Sequence, residues 1–92
     1  MNSLKLNIYK GIEIEKTYEV SELMYGAFEE FLEFLKNVEN DVPSEVQFKQ
    51  LKTLMMSIFS GLTEEEMRRT KISEIKAIIT EAAKMFLIQI KT

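Results

Sequence analysis

Cysteine and histidine are both absent from the 92 residues, and there are only three glycines and one proline. Without cysteine there is no disulfide framework and no thiolate chemistry. Without histidine the chain lacks the usual proton carrier near neutral pH and the commonest zinc ligand. A serine or threonine nucleophile is left with lysine-assisted variants alone. Ser73-Glu74-Ile75-Lys76 has the S-x-x-K spacing of one such variant, but Ser73 opens an apolar-periodic run and reads as a helix cap. No catalytic residue is assigned. Gly11, Gly26 and Gly61 stand apart from one another, so no glycine-rich phosphate loop exists. Glu64, Glu65 and Glu66 are consecutive. On a helix such residues diverge by about 100° and do not converge on one ion, so neither metal nor cofactor is implied. No apolar run approaches the ~20 residues that span a bilayer, and the N-terminal residues lack a leader's apolar core. The expectation is a soluble, cytoplasmic, non-enzymatic protein without a membrane partner.

What is present describes a folded domain. Hydrophobic residues make up 46% and charged residues 29%, an ordinary globular balance. A chain of this length buries roughly 60–65% of its unfolded surface, enough for one modest core. The net charge of −3 conceals an asymmetry. Ten acids and four bases fall in residues 1–45, and five acids and eight bases in 46–92. These charges read first as solvated faces. A sharper reading is head-to-tail self-association, acidic half against basic half. Nucleic acid is not an expected partner, because the bases are dispersed and do not interleave with aromatics.

The predicted fold is α+β, mainly α, a single domain over 1–92. A β-hairpin over about 4–20 packs on a bundle of about four helices, 21–39, 44–59, 63–70 and 73–90. In the first run Leu4, Leu6 and Ile8 alternate with polar residues, and Ile12 and Ile14 do so in the second, the period of half-buried strands. A two-residue loop at Lys10-Gly11 would pair Ile8 with Glu13. A three-residue loop, Tyr9-Lys10-Gly11, pairs Ile8 with Ile12 and Leu6 with Ile14 and is therefore preferred. Helix one is expected to start under a Ser21 cap, with Val20 and Tyr25 as its staple. Met24, Phe28, Phe31, Leu35 and Val38 form its apolar stripe, widened by Leu23, Leu32 and Phe34. Ser44 to Gln47 and Thr63 to Glu66 both have the form of capping boxes. Gly61 suits a left-handed position between helices two and three. Ser73 is expected to cap helix four, whose inner face is Ile75, Ile78, Ile79, Ala82 and Phe86. Gly26 in helix one reads either as a site of close packing, slightly preferred, or as an untuned surface position.

The apolar arc of helix one is wider than one neighbouring helix covers, and the end of helix four is apolar nearly all round. Leu32 and Phe34 on the first, and Leu87, Ile88 and Ile90 on the second, are the candidate protein-interface residues. The six methionines read as core filler, with adaptable binding surface as the sharper alternative.

One resemblance follows from the order of these features. A hairpin bearing Leu4, Leu6, Ile8 and Gly11, a helix ending Ile58-Phe59, then Leu62-Thr63 and Glu66, and a last helix opening Ser73-Glu74-Ile75 with Ile79 resemble the tail assembly chaperones of long-tailed phages and prophages of Gram-positive bacteria. The feature order covers most of the chain. The basic Arg68-Arg69-Thr70-Lys71 and the short linker around Pro43 depart from the pattern. The resemblance implies a non-enzymatic role in a bacterial host's cytoplasm: binding the tape-measure and tail-tube proteins during assembly, as a homo-oligomer. The alternative is a small helical DNA-binding or regulatory domain built from residues 63–71 and 73–90. It is the weaker match, since Lys76 is the only base at the start of its second helix.

Overall fold

Seven residues of alternating pattern, Leu4–Lys10, form strand β1, and Glu13–Val20 form β2, an antiparallel two-stranded sheet. The computed structural model describes residues 3–91, with side chains as far as Ile88 in the last helix. Four helices follow: α1 (Tyr25–Glu39), α2 (Ser44–Ile58), α3 (Glu64–Met67) and α4 (Ile72–Lys91). The fold is thus α+β, a hairpin followed by four helices. It divides into two compact units. One joins the residues up to Leu23 with those from Thr63 onward, and the other is Met24–Leu62.

The hairpin register differs from the expected one. Lys10 pairs with Glu13 and Tyr9 with Ile14, so the turn is Gly11-Ile12. Gly11 has φ +67, while Ile12 does not have positive φ. Glycine at the first central position is what a two-residue type II′ hairpin turn requires. The register then shifts by one between Ile8 and Tyr9, so that Ile8 pairs with Lys16, Leu6 with Tyr18 and Leu4 with Val20. A bulge adds one unpaired residue to a strand, here Glu15. Because side chains alternate with period two, continuing the turn's register unbroken would have sent Lys16, Tyr18 and Val20 to the other face. The bulge returns them to the side of Ile8, Leu6 and Leu4. Ile12 is 96% exposed at the turn and Ile14 is 53% exposed, so neither joins the core where the three-residue loop would have placed them.

In the first unit β1 packs on α4. Leu4, Leu6 and Ile8 are fully buried, and Ile75, Ile78, Ala82, Met85 and Phe86 are buried with them. The expected inner face of α4 therefore stands with Met85 added, and Ile79 is half-buried. Ser73 lies inside α4, whose first amides, those of Glu74 and Ile75, donate to the Lys71 carbonyl. Ser73 is thus past the capping position. Thr63 does cap α3: its Oγ1 accepts from the Glu66 amide, and Glu66 accepts from the Thr63 amide, both at 3.1 Å. Helix α3 is a single turn, shorter than expected.

In the second unit α1 packs on α2, and Ala27, Phe31, Leu54, Met55, Ile58, Phe59 and Leu62 are buried. Helix α1 starts four residues later than expected. Met24 occupies its N-cap without a side-chain bond, because β2 stays extended to Val20 and the chain turns through residues 21–24. Ser21 therefore caps nothing here. Around Gly26 a Cβ would meet no atom within 4 Å, so the expected close packing is absent. Helix α1 ends with Asp41 at φ +53, its amide on the Val38 carbonyl and the Val42 amide on that of Asn37. This is the six-to-one and five-to-two pairing of a left-handed helix stop. Ser44 is the first residue of α2 and makes no capping bond, since Pro43 is the N-cap; Gln47 instead donates to the Val42 carbonyl at 2.9 Å. Gly61, at φ +90, is the third residue of a turn closed by the Leu62 amide on the Phe59 carbonyl.

Candidate interaction surface

Polar side chains of the first unit gather around α3 and the start of α4. Glu66, beyond its capping role, accepts from the Tyr18 hydroxyl at 2.6 Å and from Lys16 at 3.1 Å. Those hydrogen bonds, Tyr18 foremost, then the Thr63 amide and Lys16, hold its carboxyl down at about 2. Lys16 also stands 4.6 Å from the Tyr18 ring centroid. Face alternation in β2, restored by the bulge, brings Lys16 and Tyr18 to the same carboxylate. Arg69 is a second hub. Its Nε and Nη2 donate to Glu65 at 2.5 and 3.0 Å, and its Nη1 to Glu15 at 2.9 Å and to the Tyr9 carbonyl at 3.1 Å. The Arg69 carbonyl in turn accepts the Tyr9 amide at 2.8 Å. Both basic groups are thus spent on holding the hairpin, the turn of α3 and the approach to α4 together.

A third cluster centres on Glu74. It accepts from the Tyr9 hydroxyl and from Asn7 Nδ2 at 3.1 Å, while Thr17 donates to Asn7 Oδ1 at 2.9 Å. The Glu74 hydrogen bond is the main reason the Tyr9 phenol is pushed above its ordinary range. Lys71 lies 4.4 Å from the Tyr9 ring centroid. Beside this cluster an open groove of about 260 Å³ runs between β1 (Leu4, Lys5, Asn7, with Ser3 just before the strand) and α4 (Glu74, Ala77, Ile78, Glu81). Ser73 and Lys76 are both exposed on α4. Among the described residues no group of three or more acidic, histidine or cysteine side chains is placed to hold a metal ion. None of the helices, over the described residues, is long and apolar enough to cross a membrane.

The interface residues expected from sequence fall in different places. Leu32 is 49% exposed on α1, Leu87 and Ile88 are exposed on α4, and Phe34 is half-buried. The side chain of Ile90 lies outside the described residues. Leu32, Phe34 and the α4 pair belong to separate units. The structure adds further exposed apolar side chains, two of which, Leu35 and Val38, belong to the expected stripe of α1. Leu35 and Val38 on α1, Val46 on α2 and Phe48 on α2, the last 65% exposed, are solvent-facing. Nothing in a heptad-like stripe separates Leu35 from Phe31; only the path of the partner helix does. The groove residues Ser3, Lys5, Asn7, Ala77 and Glu81 carried no sequence signal either, because the groove depends on which edge of the hairpin lies beside α4.

No family model, no curated protein and no solved structure matches the chain.

Proposed function

We propose that this protein is a non-enzymatic tail assembly chaperone of a long-tailed phage or prophage, acting in the host cytoplasm as a homo-oligomer that binds the tape-measure and tail-tube proteins. The observation that carries the reading is the set of apolar helix residues left in solvent: Leu32, Leu35 and Val38 on α1, Val46 and Phe48 on α2, Leu87 and Ile88 on α4. Scattered exposed leucines are ordinary, but repeated ones along helical faces are what an amphipathic client helix docks against. Arg69 is paired with Glu65 and Glu15, which takes this one base away from a nucleic-acid backbone.

The test is light scattering on the chain alone and after co-expression with a tape-measure fragment and with the tube subunit. Self-association or a co-eluting complex is expected, weakened by Leu32→Glu or Leu87→Glu. A strict monomer that binds neither protein ends the proposal.

A further inference from the structure

We propose that the open edge of β1, from Ser3 to Asn7, accepts an extended peptide segment carrying lysine or arginine, added as a further strand over the groove beside α4. The proposal is independent of the chaperone reading. It starts from backbone direction. The Tyr9 amide donates to the Arg69 carbonyl rather than to β2, so it points away from the sheet partner. Strand amides alternate sides, and those of Asn7 and Lys5 therefore point the same way. The sheet has two strands, ordered β1-β2, so no third strand takes these groups. At Tyr9 the edge is already occupied: Arg69 supplies an acceptor to its amide and a donor to its carbonyl, as an added strand would. Between Ser3 and Asn7 the same edge opens on the groove of about 260 Å³.

The groove selects what is added. Strand addition draws affinity from main-chain hydrogen bonds and specificity from pockets for alternate side chains. Here the α4 wall offers Ala77 and Ile78 to a small or branched apolar side chain, flanked by the carboxylates of Glu74 and of Glu81, the latter 3.4 Å from Lys84 in an exposed pair that a peptide cation can share. Glu74 takes its hydrogen bonds from the neutral donors Tyr9 and Asn7, so its charge stays uncompensated by them. Side chains facing one wall are two apart in a strand, so the matching occupant places an apolar residue between basic residues two positions to either side. Strand β2 carries Glu13, Glu15, Lys16 and Glu19, charges that discourage pairing at its outer edge.

A fluorescein-labelled heptapeptide with valine at its centre, lysine two positions to either side and threonine elsewhere, titrated with the full chain under fluorescence polarisation, is the probe, with its glutamate twin as control. Lys5→Pro removes the outward amide without breaking a β1–β2 bond, and a proline is tolerated on an edge. It should weaken binding by about tenfold or more. Lys5→Ala, which removes the same positive charge, should leave binding equal or tighter. That opposition separates strand pairing from simple charge attraction. Ala77→Arg fills the groove from a helix position and should also abolish binding, which covers the case in which Lys5→Pro fails to fold. Glu81→Lys should shift preference toward the glutamate twin. Absence of binding at millimolar peptide overturns the proposal, as does unchanged binding by both Lys5→Pro and Ala77→Arg. A dimer that Lys5→Pro dissolves and the peptide does not displace would give the edge to a second copy and overturn it equally.

Discussion

Leu6→Ala and Ile14→Ala together decide the register of the hairpin. Leu6 is fully buried in β1 and pairs with Tyr18, whereas Ile14 is 53% exposed and pairs with Tyr9 on the opposite face. Truncating a buried leucine costs the lost transfer energy plus that of the cavity, about 2–5 kcal/mol. A chain of this size is stabilised by roughly 5–14 kcal/mol in total, so Leu6→Ala removes a large share. At about 4–8 °C per kcal/mol, a loss of about 3 kcal/mol lowers the melting midpoint by roughly 12–24 °C. Ile14 keeps half its surface in water, so Ile14→Ala should cost less than about 1 kcal/mol. Urea unfolding followed by far-UV circular dichroism measures both, and the comparison is sound if the slope is unchanged. Had the turn been the three-residue loop, Ile14 would oppose Leu6 inside the core and the two costs would match. An Ile14→Ala loss above about 2 kcal/mol, or a Leu6→Ala loss below about 1 kcal/mol, refutes the bulged register.

Three further outcomes are expected. Gly26→Ala adds a methyl to a helical position with no atom within 4 Å and should raise stability by about 0.4–1 kcal/mol in the same urea experiment; a loss would mean an unseen close contact. Thr63→Ala removes the α3 cap and should cost about 0.5–2 kcal/mol, while Thr63→Ser should keep most of it; equal losses would place the effect in packing instead. Glu66 has its carboxyl depressed to about 2, so its contribution is present above its unfolded value near 4.5 and is lost as pH falls toward 2. The melting midpoint of the native chain should therefore drop through that window more steeply than that of Glu66→Gln, and parallel curves would remove Glu66 as a source of acid sensitivity.

The strand face and the helical segments were legible because one-sided burial writes itself as a period. Leu4, Leu6 and Ile8, and Ile75, Ile78, Ala82 and Phe86, needed nothing more. Gly61 and the Thr63 box were legible for a related reason: a positive φ and a reciprocal side-chain bond each demand particular residues. The other three caps were not, since serine before an apolar run is only permissive. Ser21 precedes the helix, while Ser44 and Ser73 already lie inside theirs, because the backbone path and not the hydroxyl fixes where each begins. The turn was misplaced for want of one fact. Ile12 sits in water at the tip, and a hydrophobic pattern always assigns such a residue inward. The groove was invisible altogether, for it joins residues some seventy positions apart.

That separation matters while the chain is being made. The apolar row Leu4, Leu6 and Ile8 leaves the ribosome long before Ile75 and Ile78, the residues it rests on. At about 5–20 residues per second the interval is roughly 3–13 s. Met24–Leu62, contiguous in sequence, has all its own partners within that interval. The hairpin does not, so between the emergence of Leu62 and that of Ile75 the nascent protein carries a complete helical pair and an unclad strand. A factor that associates with the polypeptide in that interval meets an uncovered apolar strand.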